Sequence, residues 1–266
     1  MAVFVASDPA AYEVYMGRWT RRLAAPFLEF VGVRSGHRVL DVGCGTGIIT
    51  VALAELGTTV VGLDPAEPYL EFARRHCAHP NASFELGDAH GIGYPDGTFD
   101  AAVSTLALDV IPDPEKVGEE MRRVTRPGGI VASAVHEFRG AFTPMFMMSD
   151  IASVLDSGAQ AVRDGMLSHP LVWPEGQAKM WRNLGLLDVA EVPLVIPFEF
   201  RSFGDYWSTF ETGQGRFGGY VMGLPDELRG ELKRHVRVAY LAGMVDGPRS
   251  FSVIVRAARG VVPGGG

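Results

Sequence analysis

Val39-Leu40-Asp41-Val42-Gly43-Cys44-Gly45-Thr46-Gly47 reads as a short apolar strand running straight into a glycine loop, with Ile48 opening a helix. Three glycines at alternate positions let a backbone take left-handed angles and approach a ligand closely. In a doubly wound sheet such a loop stands at the carboxyl end of the first strand, where ligands bind. A dinucleotide loop runs Gly-x-Gly-x-x-Gly, yet Ile48 occupies the place of its third glycine. The spacing Gly-x-Gly-x-Gly favours a nucleoside with an amino-acid tail over a pyrophosphate; a turn that simply needs glycine is the plainer alternative.

Outward from this loop, residues 36–136 alternate strand and helix, the pattern of a parallel sheet covered on both faces. Strands are expected at Arg38–Val42, Thr58–Leu63, Ala82–Leu86, Phe99–Ser104 and Gly129–Val135, with helices over 48–56, 67–77 and 115–124. Pro127-Gly128-Gly129 ends the last helix, since proline cannot extend it and glycine permits a tight turn. Further on, one helix is expected over 145–162, another over 174–184, and a sixth strand over 188–198. Helical pieces near 203–210 and 225–242 precede a last strand at 250–257. The chain thus reads as a single domain, 1–266, with a core of 36–138, 173–200 and 248–259. Segments 1–35, 139–172 and 203–247 are additions placed to cover the functional edge of the sheet as a lid.

Composition suits this picture. The 266 residues are 47% hydrophobic and 21% charged, which fits a globular chain with one sizeable core. A net charge of −7 disfavours nucleic acid or an anionic membrane as partner, because such binding rests on Lys and Arg contacts to phosphates. Arg18, Arg21 and Arg22 cluster, but beside helix-period apolar residues, as on a solvated helix face. Two cysteines, Cys44 and Cys77, are too few for a disulfide framework or a cysteine zinc site. Met1 to Val5 lacks a targeting pattern and no run spans a bilayer, so a cytoplasmic protein is expected, with a homodimer compatible. The glycine-rich end from Pro263 reads as a frayed tail.

Acidic residues follow the glycine loop at telling places. Asp64 closes the second strand before Pro65, where a carboxylate can accept from both hydroxyls of a ribose. Asp88-Ala89 follows the third strand, where a carboxylate can accept from an adenine amino group, although Asp after a strand is also common turn chemistry. Asp41, inside an apolar strand, needs a partner to offset its desolvation.

Together with Tyr94-Pro95-Asp96-Gly97-Thr98-Phe99-Asp100 and Arg123 to Gly129, these segments resemble the successive motifs of class I S-adenosylmethionine (SAM)-dependent methyltransferases over residues 36–136. Within that class the chain is similar to a broad bacterial group related to the ubiquinone and menaquinone methyltransferases. Tyr15-Met16-Gly17-Arg18-Trp19 and Gly213-Gln214-Gly215 resemble one largely unassigned branch of it. The resemblance implies SAM as donor, S-adenosylhomocysteine (SAH) as product, a small-molecule acceptor, and a seven-stranded Rossmann-like sheet whose last strand runs antiparallel. It sets Gly43, Gly45 and Gly47 against the methionine portion, Asp64 with Pro65 at the ribose, and Asp88 with Ala89 at the adenine. Asp41 supports the loop and the cofactor amine, while Leu106 and Ala107 lie near the methionine portion. Asp109 and His136-Glu137 depart from the branch, which expects Asn or His, and Trp-Asp, at those places.

Methyl transfer from a sulfonium is an in-line displacement, so alignment supplies much of the catalysis and a base is needed only for some acceptors. His136 and Asp109 end neighbouring strands and are the candidate catalytic groups; His136 is the first candidate base, oriented by Glu137. Ordinary hydrogen-bonding and bracing roles are the alternatives. Tyr12, Tyr15 and Trp19 form one face of an N-terminal helix, either closing over the cofactor or merely packing. The stretch 142–148 with Met145 lines an adaptable acceptor pocket or belongs to the core, and Trp207 and Gln214 are further candidates to touch the acceptor. His90 is read as adenine-side lining or surface, and no His and carboxylate cluster has metal-ligand spacing. An NAD-dependent oxidoreductase and a SAM-binding subunit without turnover are the competing functions.

Overall fold

The structure, a computed structural model, describes residues 8–138 and 142–264, and the expectations for Met1 to Val5 and for the last two glycines lie outside them. Strands β1 (Arg38–Val42), β2 (Thr59–Asp64), β3 (Ala82–Leu86), β4 (Phe99–Thr105), β5 (Thr125–His136), β6 (Leu187–Phe200) and β7 (Arg249–Val261) form one sheet in the order β3-β2-β1-β4-β5-β7-β6. β1 to β5 pair in parallel, whereas β7 runs antiparallel to both β5 and β6. The expected doubly wound sheet with its antiparallel last strand is what the chain forms. Its order reverses between β1 and β4, and that switch point opens a crevice at the carboxyl ends of the parallel strands.

Strand alternation sorts the core into two layers. Val39, Val60, Ala101 and Val103 face one side, against α2 (Arg18–Val31) and α3 (Ile48–Glu55). Leu40, Val61 and Ala102 face the other, against α5 (Pro114–Val124) and α8 (Gly176–Asn183). α4 (Glu67–His76) packs beside β3 through Leu70, Ala73 and Phe84. The central strands are buried on both faces, which is why they read as continuous apolar runs.

Differences from expectation lie in the additions. The N-terminal segment is α1 (Pro9–Tyr12), a π-turn (Glu13–Gly17) and then α2. Instead of one helix over 145–162 there are α6 (Thr143–Leu155) and α7 (Ser157–Leu167), broken where Asp156 takes an extended backbone, φ −145° and ψ 125°. The helix expected over 174–184 is α8 alone, preceded by a 3-10 turn, Pro170–Val172. β5 starts before the expected Gly129, because Thr125 already pairs with Phe99 across a register shift. Beyond α9 (Phe203–Glu211), an unexpected α10 (Gly215–Gly223) precedes α11 (Asp226–Leu241). Its glycines argue against helix by propensity, yet a Cβ on Gly218 would stand 2.9 Å from the Gly213 carbonyl carbon, so contact with the preceding turn demands glycine there.

Candidate functional site

The strand ends open into a cavity of about 310 Å³. Its floor is the glycine loop, with Gly43, Gly45 and Gly47 at φ 72°, 54° and 84°. The amides of Gly43 and Cys44 donate to the Leu63 carbonyl at 2.8 and 3.1 Å, pinning the loop across the end of β2. A Cβ on Gly43 would stand 2.7 Å from that of Ala107, and one on Gly47 would be 2.8 Å from the Phe84 ring. Those two glycines are required by protein packing. Gly45 is different, since its nearest neighbour would be Tyr69 at 3.8 Å, so its backbone faces open space in the cavity.

Asp64 lines the cavity and holds the loop in shape. Its Oδ2 accepts the Gly45 amide and its Oδ1 the Ala66 amide, both at 2.9 Å. Two carboxylate oxygens offer about four acceptor positions, so capacity remains for a ligand's hydroxyls. Burial raises its carboxyl above the ordinary range, opposed by those two amides. Asp88 sits at the rim, where its Oδ1 accepts from the His90 amide and Nδ1 at 2.9 and 2.7 Å. His90 Nε2 in turn lies 2.6 Å from the Pro112 carbonyl, tying the loop after β3 to the loop after β4. With acceptors on both ring nitrogens, His90 is held above its usual pKa, chiefly by the carbonyl and then by Asp88.

Beside these groups stand Pro65, Ala89, Leu106 and Ala107. Leu106 is a non-glycine residue at φ 57°, held by a 2.7 Å bond from its amide to the Ala134 carbonyl. Such a conformation costs roughly 1–3 kcal/mol and concentrates at ligand sites. Asp41 does not line the cavity: it is buried beneath the loop and accepts from the Thr50 hydroxyl at 2.6 Å, and its carboxyl is pushed up to about 7 by burial.

The other half of the cavity is built from β4, β5 and the additions. Thr105 pairs with Ala134, so Asp109 and His136 follow adjacent parallel strands and both line the cavity. Asp109 Oδ1 and His136 Nε2 are buried without a hydrogen-bond partner among the described residues. Burial raises the Asp109 carboxyl to about 6 and lowers the His136 imidazole to about 3. His136 stacks on Phe142 at 4.4 Å, with Phe138 and Phe198 each 6.2 Å away. Glu137 does not orient it. Alternation along β5 turns that carboxylate to the opposite face, where Arg256 binds it at 2.6 Å.

Tyr12, Tyr15 and Met16 close one wall. The π-turn that carries Tyr15 and Met16 is fastened to the glycine loop, because the Thr46 hydroxyl donates to Glu13 Oε1 at 2.6 Å. Trp19 lies elsewhere: it is buried against β6, stacked 4.4 Å from Phe198, under the Arg18 guanidinium. Met145 and Trp207 are likewise core residues rather than lining, the Trp207 indole donating to Glu211 at 2.8 Å. Gln214 stands one step behind the wall, accepting from the Tyr69 hydroxyl at 3.3 Å. Lining that sequence reasoning missed includes Tyr69, Phe138, Met166, His169 and Arg216. Arg216 directly follows Gly213-Gln214-Gly215, and Gly215 lacks a Cβ because one would run into the Tyr15 ring, 2.7 Å from Cζ.

Residues 40–133, which span β1 to β5, match the family described as "Methyltransferase domain". Demethylmenaquinone methyltransferase of Renibacterium salmoninarum is 36% identical over 129 residues, 48% of this chain and 54% of that protein. Nocamycin O-methyltransferase of Saccharothrix syringae is 28% identical over 189 residues, 65% of this chain and 67% of that protein. The chain spans about half the length of several curated relatives that it matches. Among solved structures, phosphoethanolamine N-methyltransferase 2 of Haemonchus contortus, crystallised with SAH, has a similar fold, with a TM-score of 0.61 at 16% identity over 98% of this chain and 58% of that one. Among the described residues, no helix is long and apolar enough to cross a membrane.

Proposed function

We propose that this chain is a SAM-dependent methyltransferase that methylates a small organic molecule, with oxygen as the acceptor atom. The observation that carries the reading is one cavity joining the glycine loop and Asp64 to two buried polar atoms without partners, Asp109 Oδ1 and His136 Nε2. The cavity suits the donor. Gly45 presents bare backbone to the methionine end, Asp64 with Pro65 faces the ribose, Asp88 with Ala89 the adenine, and Leu106 with Ala107 the methionine side. Gly47 and Asp41 act from behind, one as a packing glycine and the other through Thr50. Bound there, SAM supplies a methyl carbon that the acceptor oxygen attacks as the carbon–sulfur bond breaks, its electron pair leaving on the sulfur of SAH.

The chain's own residues orient the acceptor and take its proton. A general base works best with a pKa close to the working pH, and Asp109, at about 6, is nearer than His136, at about 3. Asp109 therefore receives the hydroxyl proton, and His136 stays neutral and hydrogen-bonds the acceptor. This reverses the order expected from residue type, because burial disfavours the charged form of both groups and so raises an acid while lowering an imidazole. Segments 1–35, 139–172 and 203–247 act as the lid: Tyr12, Tyr15, Met166 and Arg216 line the cavity and restrict water. The free Cys44 and Cys77 suit a reducing cytoplasm.

Calorimetry with SAH and with NAD tests the donor. Wild type should bind SAH and not NAD. Asp64→Ala, losing two charge-assisted hydrogen bonds to ligand hydroxyls, should weaken SAH by about 100-fold or more. Wild-type affinity in that variant would contradict the ribose assignment, and NAD binding without SAH binding would overturn the activity.

A further inference from the structure

The cavity holds a cation, Arg216, with no carboxylate in salt-bridge contact among the described residues. Arg216, at the start of α10, lines the cavity, and its one hydrogen bond among the described residues runs from Nη1 to the Gly165 carbonyl at 3.4 Å. Among the described residues, Arg18 is paired with Asp205 at 2.8 Å, Arg123 with Glu120 at 2.8 Å and Arg256 with Glu137 at 2.6 Å. The half-buried Arg259 is held by the Phe30 and Val31 carbonyls at 2.8 and 2.9 Å, and Arg249 by the Pro248 and Val245 carbonyls at 2.9 and 3.1 Å. Arg216 lines the cavity with a single long bond. The Arg216 charge is felt on the acceptor side, opposing the rise at Asp109 and helping burial to lower His169.

His169 adds a neutral donor. Its Nδ1 accepts from the Leu171 amide at 3.3 Å, so the uncharged ring carries its hydrogen on Nε2. The wall also carries aromatic rings: those of Phe138 and Phe142 lie 5.5 Å apart and 25° from parallel. The cavity thus offers a guanidinium and a neutral N–H, a flat apolar wall, and a carboxyl beside an imidazole.

We propose that the acceptor is an aromatic acid, with its carboxylate on Arg216 and His169, its ring against Phe138 and Phe142, and its hydroxyl at Asp109 and His136. This rests on the methyltransferase reading and narrows it. A guanidinium matches a carboxylate fork to fork. An uncharged acceptor filling the same space would strip water from Arg216 and return no partner, which costs free energy.

The test is calorimetry of wild type and Arg216→Gln, each with and without SAH, using 2-, 3- and 4-hydroxybenzoate against the matching hydroxybenzamides as probes. In wild type at least one acid should bind about tenfold or more tighter than its amide, and Arg216→Gln should reduce that ratio to about twofold or less with SAH affinity retained. Equal binding of every acid and its amide in wild type overturns the proposal, as does a preference that survives in the variant. A variant that loses SAH but keeps the acid preference assigns Arg216 to the donor and also overturns it. Failure of wild type to bind SAH sinks the methyltransferase reading, while the acid and amide comparison on the ligand-free protein still decides this one.

Discussion

Replacing Asp109 by asparagine should stabilise the protein at pH 7.5 while slowing methyl transfer, because the same burial that suits this carboxyl to the proposed role of base also costs the fold stability. The carboxyl rises from 3.8 to about 6 on folding. Between those values the folded chain keeps a proton that the unfolded chain has released, so stability falls as pH rises through that interval and levels off above it. At about 1.4 kcal/mol per pH unit, the full loss is about 3 kcal/mol. Asparagine removes the charge but leaves a buried amide whose missing hydrogen bond costs roughly 1–2 kcal/mol. The net gain at pH 7.5 is then about 1–2 kcal/mol, or roughly 2–8 °C in Tm for a chain of this size. Near pH 4 the wild-type carboxyl is itself neutral, and the gain should vanish or reverse. Thermal unfolding of both proteins from pH 4.5 to 8 measures the gap. A gap independent of pH, or one that widens toward acid, refutes the placement of an unpaired carboxyl in the cavity.

Two further substitutions probe the loops that shape the donor half. Gly43→Ala must place a Cβ 2.7 Å from Ala107 at φ 72°, whereas Gly36→Ala has a similar φ of 85° and nothing within 4 Å. The first should cost about 2–3 kcal/mol in urea unfolding and the second about 1 kcal/mol; equal costs would show that the close approach does not exist. His90→Gln should loosen the tie between the loops after β3 and β4. The raised His90 pKa means that its contribution is fully present below the ordinary value of 6.5 and is lost as pH rises past the folded value. Amide exchange over residues 87–92 should therefore differ most between variant and wild type at pH 6, and a difference that grows toward pH 9 would reject the protonated clasp.

The sheet was legible because each core strand is specified locally. Val39 to Val42 and Val60 to Leu63 are buried on both faces and need only continuous apolar character, and Pro127-Gly128 marks the turn into β5. The additions were harder because their geometry comes from distant contacts. α10 holds four glycines that propensity counts against helix, and the approach of Tyr15 and Gly213 explains two of them, Gly215 and Gly218. Trp19 carried an aromatic signal suited to a cofactor, yet its ring was claimed by Phe198, a residue far along the chain.

The same contrast divides the cavity. The half proposed for the donor is made by residues at or just after the ends of β1, β2, β3 and β4, so the position of Asp64 or Asp88 at its strand end already states its place in the cavity. The acceptor half gathers His136 from β5, His169 from the end of α7 and Arg216 from α10, and no periodicity links those positions. Its chemistry also inverts residue-type expectation: histidine, the usual base near neutral pH, is driven down to about 3, and aspartate rises to about 6. What dominates both shifts is a single property, desolvation by burial. If wild-type turnover rises with an apparent pKa near 6 and that limb disappears in Asp109→Asn but persists in His136→Gln, burial rather than side-chain type has chosen the base.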